Sequence, residues 1–298
     1  MNKKRIRAHR IEKGLLIITI LVVGFCAAFM IITASEPPIR DAVNTSSPSA
    51  TQPTPTPTPL PQAMATNFSQ GSFIDTGYLA LVNHQHATSA QPSLTAAWPT
   101  VAVSQAAGMY LHPSALRAVS EMFVSAHEAG KNGLFVTSGF RGVERQAELY
   151  NGGANSDFVM PPGHSEHHTG LAVDILAVGV GMFELADSPQ GQWMAQNSYR
   201  YGLILRYPEG AEHITGISFE PWHFRYVGKV HAYIMHRYGL VLEEYIELIK
   251  TQGISIEKNG RNYNILFQPG QNDTINLPAE MDFKVSSTNT GGYIVKAW

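Results

Sequence analysis

Residues 161–176 decide the fold and read Pro-Pro-Gly-His-Ser-Glu-His-His-Thr-Gly-Leu-Ala-Val-Asp-Ile-Leu. The last six of them, residues 171–176, alternate as a β-strand does, with Asp174 on one face and Val173 and Ile175 on the other. A carboxylate at the centre of an apolar strand is costly unless it is paired or coordinated. We therefore expect Asp174 to be held by a specific partner. Three histidines precede it in the same stretch: His164, His167 and His168.

A second strand is predicted at residues 222–227, where aromatic and polar side chains alternate and His223 and Arg225 share the polar face. The aromatic residues are expected to form core beneath a site rather than a binding platform: Trp222, Phe224 and Tyr226. Glu220 stands three residues before His223. Two histidines and one carboxylate are the ligand set of a catalytic zinc ion, which keeps a fourth position open. A further carboxylate beside such a site is what metal-assisted hydrolysis needs as a general base.

The composition of the chain limits the chemistry and the class of protein. The 298 residues include one cysteine, Cys26, so an intrachain disulfide is excluded and any transition-metal site must be built from His, Asp and Glu. A hydrophobic content of 44% with 15% charged residues excludes a chain that is disordered throughout. A formal net charge of −2 excludes nucleic-acid binding through bulk positive charge. We therefore expect that the protein does not bind nucleic acid. We also expect that it is a monomer.

The N-terminal residues have the pattern of a membrane anchor. Residues 1–14 form a basic segment, and residues 15–34 contain no charged residue and are long enough to cross about 30 Å of hydrocarbon as a helix. The basic residues before the apolar stretch predict a cytoplasmic N-terminus and an exported body facing the cell wall. A cleaved signal peptide ending near Thr33-Ala34-Ser35 is the alternative, which the length of the apolar stretch disfavours.

Residues 35–66 are predicted to be a linker. They contain eight prolines and many Ser and Thr residues, including the alternating run Pro53-Thr-Pro-Thr-Pro-Thr-Pro59. Such a sequence cannot bury apolar surface and favours extended polyproline II structure of ~3.1 Å per residue. We interpret it as a stalk that holds the body away from the membrane.

The remaining sequence predicts an α+β fold in which helices flank a small antiparallel sheet. Helices are expected at 112–131 and 143–150, and one long helix or a helix pair at 229–250, with a further strand at 134–137. These elements belong to one domain, residues 67–250.

Residues 251–298 are predicted to form a β appendage. Asn259-Gly260 lies between two alternating apolar runs, which is a strong signal for a β-hairpin. A segment of this size holds little core alone, so we expect it to pack on the body or on a partner.

Three motifs in the body together resemble the VanY-type D-alanyl-D-alanine carboxypeptidases and their L,D-carboxypeptidase relatives, in the lysostaphin/D-Ala-D-Ala/hedgehog metallopeptidase group. The motifs are Ser138-Gly-Phe-Arg141, Ser165-x-His167-x-x-Gly170-x-Ala172-x-Asp174 and Glu220-Pro-Trp-His223. They occur in the order of that family, and the resemblance covers about residues 105–240. The anchor, the stalk and the β appendage lie outside it.

The resemblance implies a role for each matching residue. His167, Asp174 and His223 are implied to bind one Zn²⁺ per chain, in a cleft carried by the sheet, and Glu220 to act as general base. Arg141 is implied to meet the substrate, by binding its terminal carboxylate or by stabilising the oxyanion. For Gln146 and Ser165, a substrate contact and a purely structural role stay open.

The implied activity is removal of C-terminal D-alanine from peptidoglycan stem peptides. The sequence does not separate the D,D-carboxypeptidase activity from the L,D-carboxypeptidase activity. Of the two, we favour the D,D-carboxypeptidase activity. Two alternatives stay open: an endopeptidase that cuts peptidoglycan cross-links, and an inactive, metal-containing module that binds the cell wall. The presence of Glu220 beside a complete ligand set argues against the inactive module.

Overall fold

The structure, a computed structural model, describes the following residues: 63–67, 74–75, 77–89, 91–104, 108–155, 157–270, 274–278 and 281–298. All of them belong to one compact unit, Gln52–Trp298. The predicted basic segment, the predicted membrane helix and the linker up to residue 62 lie outside the described residues. Among the helices of the described ranges, none combines the length and the apolar character needed to span a membrane.

Thirteen strands and six α-helices form within the described ranges. The strands are β1 (Ala63–Asn67), β2 (Ile74–Asp75), β3 (Thr95–Ala96), β4 (Tyr110–Leu111), β5 (Leu134–Ser138), β6 (Ala172–Ala177), β7 (Leu203–Leu205), β8 (His223–Tyr226), β9 (Ile254–Lys258), β10 (Arg261–Pro269), β11 (Thr274–Pro278), β12 (Phe283–Ser287) and β13 (Gly292–Ala297). The helices are α1 (Pro113–Glu128), α2 (Val143–Asn151), α3 (Pro189–Asn197), α4 (Glu212–Thr215), α5 (Lys229–Tyr238) and α6 (Leu242–Gln252).

The central sheet is antiparallel, with the strand order β5-β6-β8-β7. Asp174 of β6 lies opposite His223 of β8 on one side and opposite Ser138 of β5 on the other. Strand β6 points Val173 and Ile175 into a core that it shares with helix α1 and strand β8. The register therefore brings one residue from each of the three sequence motifs into a single row across the sheet: Ser138, Asp174 and His223.

The C-terminal strands form a second sheet, in the order β2-β12-β13-β10-β9. The predicted hairpin is present, with Asn259 and Gly260 at φ of 54° and 70°, as a type I′ turn requires. Ile254, Ile265 and Ile294 of this sheet are buried in one cluster with residues of helices α5 and α6. The C-terminal segment thus packs on the body of the same chain.

One predicted boundary differs from the structure, and one alternative that the sequence left open is decided. The predicted linker ends at residue 66, whereas residues 63–66 belong to β1, which pairs with β11. The prolines end at Pro61, so the backbone N–H groups after it can join a strand. The 229–250 segment is a helix pair, α5 and α6, because the first helix ends at Gly239 in the left-handed conformation.

Candidate metal centre

Three potential metal ligands converge at the row formed by β6 and β8. One donor atom from each of His167, Asp174 and His223 lies within 4.8 Å of the others, and no other such group occurs among the described residues. His167 Nε2 is 3.3 Å from Asp174 Oδ2, and His223 Nδ1 is 3.0 Å from Asp174 Oδ1. The three predicted ligands are therefore brought together, with Asp174 between the two imidazoles.

The loop before β6 fixes the orientation of His167. His167 Nδ1 donates to the carbonyl oxygen of Gly139 at 2.7 Å, which leaves the lone pair of Nε2 directed towards Asp174. The loop ends at Gly170, whose φ is +67° and whose added Cβ would lie 2.7 Å from Leu94 Cδ2. A side chain at this position would meet backbone strain and would have to displace the end of the Leu94 side chain, so glycine allows the tight turn into the strand.

The electrostatics of Asp174 fit a bound cation. Burial alone would raise the pKa of the Asp174 carboxyl, but His167 and His223 hold that pKa well below its usual range. Its Oδ1 atom is buried and has no hydrogen-bond partner among the described residues. Burial lowers the pKa of His167, which favours the neutral imidazole that a metal requires. A buried oxygen without a hydrogen-bond donor, next to two imidazole nitrogens, is the donor set of a transition-metal ion.

Glu220 lies beside this cluster but outside it. Its side chain is 5% exposed, and Oε2 is 3.5 Å from His223 Nδ1. Burial, reinforced by the negative charges of Asp174 and Glu166, raises the pKa of the Glu220 carboxyl to about 8, although His223 and Arg141 oppose the shift. The carboxyl group of Glu220 therefore binds a proton more tightly than that of Asp174 does.

Arg141 borders the same site and is held in place by two neighbours. Its Nη1 donates to Gln146 Oε1 at 2.9 Å and its Nη2 to Ser138 Oγ at 3.0 Å. Nη2 also lies 4.0 Å from Asp174 Oδ2. A guanidinium has five N–H groups, so these two hydrogen bonds leave three for another partner.

The two residues whose roles stayed open are both buried. Gln146 is fully buried, and its Nε2 donates to the carbonyl oxygen of Met160 at 2.5 Å while its Oε1 accepts from Arg141. Ser165 Oγ accepts from the backbone N–H of His167 at 3.3 Å, at the start of a 3-10 turn. Both residues therefore position other site residues, and both also line the cavity described next.

A cavity of about 200 Å³ opens over the metal ligands. Its polar wall includes Arg141, Glu220 and the three potential ligands, together with Gln146, Ser165 and Glu166, and its other walls are largely apolar. The apolar lining residues include Phe158, Met160, Met182, Ile217 and Trp222. Trp222 thus belongs to the hydrophobic core, as expected, and also borders the cavity, where its ring packs edge-on against Phe183 at 5.3 Å.

A buried ionic network that was not predicted from the sequence lies directly behind the metal ligands. Glu166 Oε1 accepts a hydrogen bond from Arg206 Nε at 2.8 Å and forms an ion pair with Arg225 Nη1 at 2.8 Å. Arg206 also binds Glu243, at 2.7 and 2.9 Å. Burial would raise the pKa of Glu166, but Arg225 and Arg206 hold it well below the usual range. The polar face of strand 222–227 was a signal for Arg225, whereas nothing in the sequence pattern marks Arg206 or Glu243.

Comparison with known proteins shows that the body of the chain is similar to D-alanyl-D-alanine carboxypeptidases. The family model described as VanY, D-alanyl-D-alanine carboxypeptidase, matches residues 108–229. A D-alanyl-D-alanine carboxypeptidase of Enterococcus faecium is 37% identical over 189 residues, which are 63% of this chain and 61% of that protein. The chain therefore spans about three fifths of the length of this curated relative.

Solved structures that resemble this one include two peptidases. The LdcB LD-carboxypeptidase is 38% identical, with a TM-score of 0.53, over 58% of this chain and 87% of that chain. The vancomycin resistance D,D-dipeptidase VanXYg, in complex with a D-Ala-D-Ala phosphinate analog, is 27% identical with a TM-score of 0.68, over 80% of this chain and 100% of that chain.

If His167, Asp174 and His223 bind a metal ion, we expect each of the three side chains to be needed to retain it. His167→Ala, Asp174→Ala and His223→Ala each remove one donor, so the metal bound per chain should fall to a small fraction of that of the wild type. Inductively coupled plasma mass spectrometry of the purified chain measures this content. His213→Ala, a change at an exposed histidine outside the cluster, is the control and should keep the metal. Full metal content in all three variants would refute the assignment.

Proposed function

This chain belongs to the VanY family of D-alanyl-D-alanine carboxypeptidases, and from that premise we propose that it is a zinc-dependent carboxypeptidase. Its substrates are peptidoglycan stem peptides, from which it removes C-terminal D-alanine. The observation that carries the proposal is the geometry of the cavity. Three potential metal ligands, a separate buried carboxylate and an arginine face one space of about 200 Å³.

The donor set supports one Zn²⁺ per chain, held by His167 Nε2, His223 Nδ1 and Asp174. Zinc is bound by imidazole nitrogen and carboxylate oxygen, and a catalytic site with three protein ligands keeps a position open. When bound, a zinc ion supplies Lewis-acid chemistry, which polarises a carbonyl oxygen and makes water a nucleophile at neutral pH.

Glu220 is positioned to transfer protons during hydrolysis. Its carboxylate lies next to the ligand cluster without belonging to it. It accepts the proton that water loses as the water oxygen attacks the scissile carbonyl carbon. It then returns this proton to the leaving amino group as the C–N bond breaks. Its burial strengthens its basicity, since a desolvated carboxylate holds a proton more tightly than an exposed one.

Arg141 provides recognition of a free C-terminus. Ser138 and Gln146 fix its guanidinium group at the cavity wall. The N–H groups that remain can bind a terminal carboxylate in a two-pronged manner. The alternative role, stabilisation of the oxyanion of the scissile carbonyl, uses the same positive charge. The first role requires a free carboxylate at the substrate C-terminus, whereas the second role does not.

We propose the D,D-carboxypeptidase activity first, because the relative from Enterococcus faecium carries that name. The similarity to an LD-carboxypeptidase structure supports the L,D-carboxypeptidase activity as the second candidate. An endopeptidase acting on cross-links and an inactive wall-binding module remain as other outcomes of the tests below. We also propose that residues 15–34 anchor a monomeric chain in the cell membrane, so that the stalk extends the catalytic domain towards the wall.

Incubation with defined muropeptides tests the proposed function. The full-length, zinc-loaded chain should release one alanine from a stem pentapeptide ending in D-Ala-D-Ala, and mass spectrometry should show the tetrapeptide accumulating. Release of alanine from the tetrapeptide alone would instead establish the L,D-carboxypeptidase activity. Cleavage of cross-linked dimers without loss of a terminal residue would favour the endopeptidase. Absence of turnover on all three substrates by zinc-loaded protein would favour the binding module.

Replacement of the proposed base should separate catalysis from metal binding. Glu220→Gln keeps the size of the side chain but removes the proton acceptor, so kcat should fall on the order of 10²-fold or more, while zinc remains bound. Rate measurements and metal analysis on the same preparation check both parts. Glu212→Gln changes an exposed glutamate of helix α4 and should leave both quantities unchanged. Loss of zinc from the Glu220→Gln variant would make Glu220 a ligand and leave the base unassigned.

Substitution of Arg141 should test recognition of the terminal carboxylate. Arg141→Lys keeps the charge but loses the planar, two-pronged geometry, so kcat/KM for free-acid peptides should fall. Loss of one partner of a buried charge pair costs roughly 2–5 kcal/mol, which corresponds to about 30-fold to several thousand-fold in kcat/KM. Arg145→Lys, at an arginine whose side chain is 64% exposed, is the matched control.

The same experiment uses peptides with an amidated C-terminus to separate the two roles of Arg141. Amidated peptides should be poor substrates of the wild type and should lose little more in Arg141→Lys, because the carboxylate is already missing. If the mutation instead reduces kcat/KM equally for free and amidated peptides, Arg141 stabilises the oxyanion. Equal rates on both peptides in the wild type would contradict the carboxypeptidase and favour the endopeptidase.

A further inference from the structure

Two buried polar atoms face each other behind the metal centre, and neither has a hydrogen-bond partner among the described residues. They are Glu166 Oε2 and His223 Nε2, which lie 3.6 Å apart. A buried polar atom without a partner is strongly unfavourable. A separation of 3.6 Å is too long for a hydrogen bond, but a small rotation of the imidazole closes it. The pair is therefore suited to a hydrogen bond in which Nε2–H donates to the carboxylate.

The other oxygen of Glu166 already has two cationic neighbours. Oε1 accepts a hydrogen bond from Arg206 Nε at 2.8 Å and forms an ion pair with Arg225 Nη1 at 2.8 Å. Both arginines are themselves fixed. Arg206 binds Glu243, and Nη2 of Arg225 donates to the backbone carbonyl oxygens of Tyr78 at 3.2 Å and Ala80 at 3.0 Å. Glu166 thus has a fixed orientation, and Oε2 is the atom that it can offer to His223.

We propose that Glu166 is a positioning residue for the metal ligand His223. By accepting the proton on Nε2, it selects the tautomer in which the lone pair of Nδ1 points at Asp174 Oδ1, 3.0 Å away. His167 has the opposite arrangement, because its Nδ1 donates to the carbonyl oxygen of Gly139 and its Nε2 faces Asp174. The two ligand histidines are therefore held in opposite tautomers, one by a carboxylate and one by the backbone.

This inference rests on the metal site of the proposed function, but it does not depend on the substrate. Residues that hydrogen-bond the outer nitrogen of a ligand histidine typically change metal affinity by about 10–100-fold when they are replaced. The competing interpretation is that Glu166 only neutralises two buried arginines and stabilises the fold. That interpretation predicts a loss of stability without a specific loss of metal affinity.

A pair of isosteric variants separates these two interpretations. Glu166→Gln keeps an oxygen for the arginines, but its amide NH₂ can occupy the position of Oε2, where it would meet Nε2–H of His223 and favour the other tautomer. Glu243→Gln is the matched control, because it removes one negative charge from the same network and Glu243 binds Arg206 rather than His223. Both variants should lower the unfolding temperature of the metal-free protein.

Zinc affinity is the readout that a structural role alone would not move. Competition with a chromophoric chelator, on the full-length chain in detergent, should show Zn²⁺ affinity lowered about 10–100-fold in Glu166→Gln. The Glu243→Gln control should remain close to the wild type. Equal affinity in the two variants, whether unchanged or lowered, would overturn the proposal. If the wild type binds no Zn²⁺, both this inference and the proposed function fail. If the wild type binds Zn²⁺ and the two variants have the same Zn²⁺ affinity, only this inference fails.

A measurement on the wild type keeps the proposal testable if Glu166→Gln does not fold. In long-range ¹H–¹⁵N spectra of the zinc-loaded, ¹⁵N-histidine-labelled chain, the two ligand histidines should differ in the site of the ring proton. His223 should carry it on Nε2 and His167 on Nδ1. A proton on Nδ1 of His223 would overturn the assignment of Glu166.

Discussion

The structure of the site depends on one constraint, which is that a carboxylate occupies the centre of a buried strand. Asp174 stands between Val173 and Ile175, both of which are fully buried in the core. A charge in this position is tolerated only when neighbouring groups compensate it. The two imidazoles at 3.0 and 3.3 Å, together with the Arg141 guanidinium at 4.0 Å, provide that compensation. A bound cation would complete it, since Oδ1 has no hydrogen-bond donor among the described residues.

Antiparallel pairing converts this local constraint into a site. Residues opposite each other in neighbouring strands have Cβ atoms about 5 Å apart, so the register decides which side chains can share an ion. Here the register aligns Ser138, Asp174 and His223 across three strands. Ser138 then holds Arg141, which follows it by three residues. The three motifs are far apart in the sequence, but the sheet brings them within reach of one cavity.

The alternation of side chains with a period of two was sufficient to predict strands β6 and β8, and the resemblance of the three motifs to a known family implied the three potential ligands. The sequence was insufficient for the groups behind them. A period of two shows that Arg225 is on the face of His223, but it does not show that this face is also covered by Gly77–Ala80 carbonyl groups and Glu166. Likewise, Gln146 resembles any polar helix residue until the packing of Met160 and Arg141 around it is known. Burial of a polar group depends on contacts between distant segments, which local periodicity does not encode.

Two of the carboxylates that line the cavity, Asp174 and Glu220, illustrate how environment suits similar groups to different roles. Asp174 touches two imidazoles, and they hold its pKa well below the usual range even though burial opposes this. The side chain of Glu220 is even less exposed, at 5% against 14% for Asp174. This burial and two negative neighbours, with only one imidazole nearby, raise the pKa of Glu220 to about 8. A group that stays ionised is suited to hold a cation, and a group with a raised pKa is suited to accept and return a proton. The positive charge of a cation at Asp174 would lower the pKa of Glu220 from about 8 towards neutral pH. Both the protonated and the ionised form of the carboxyl group would then be available during one catalytic cycle.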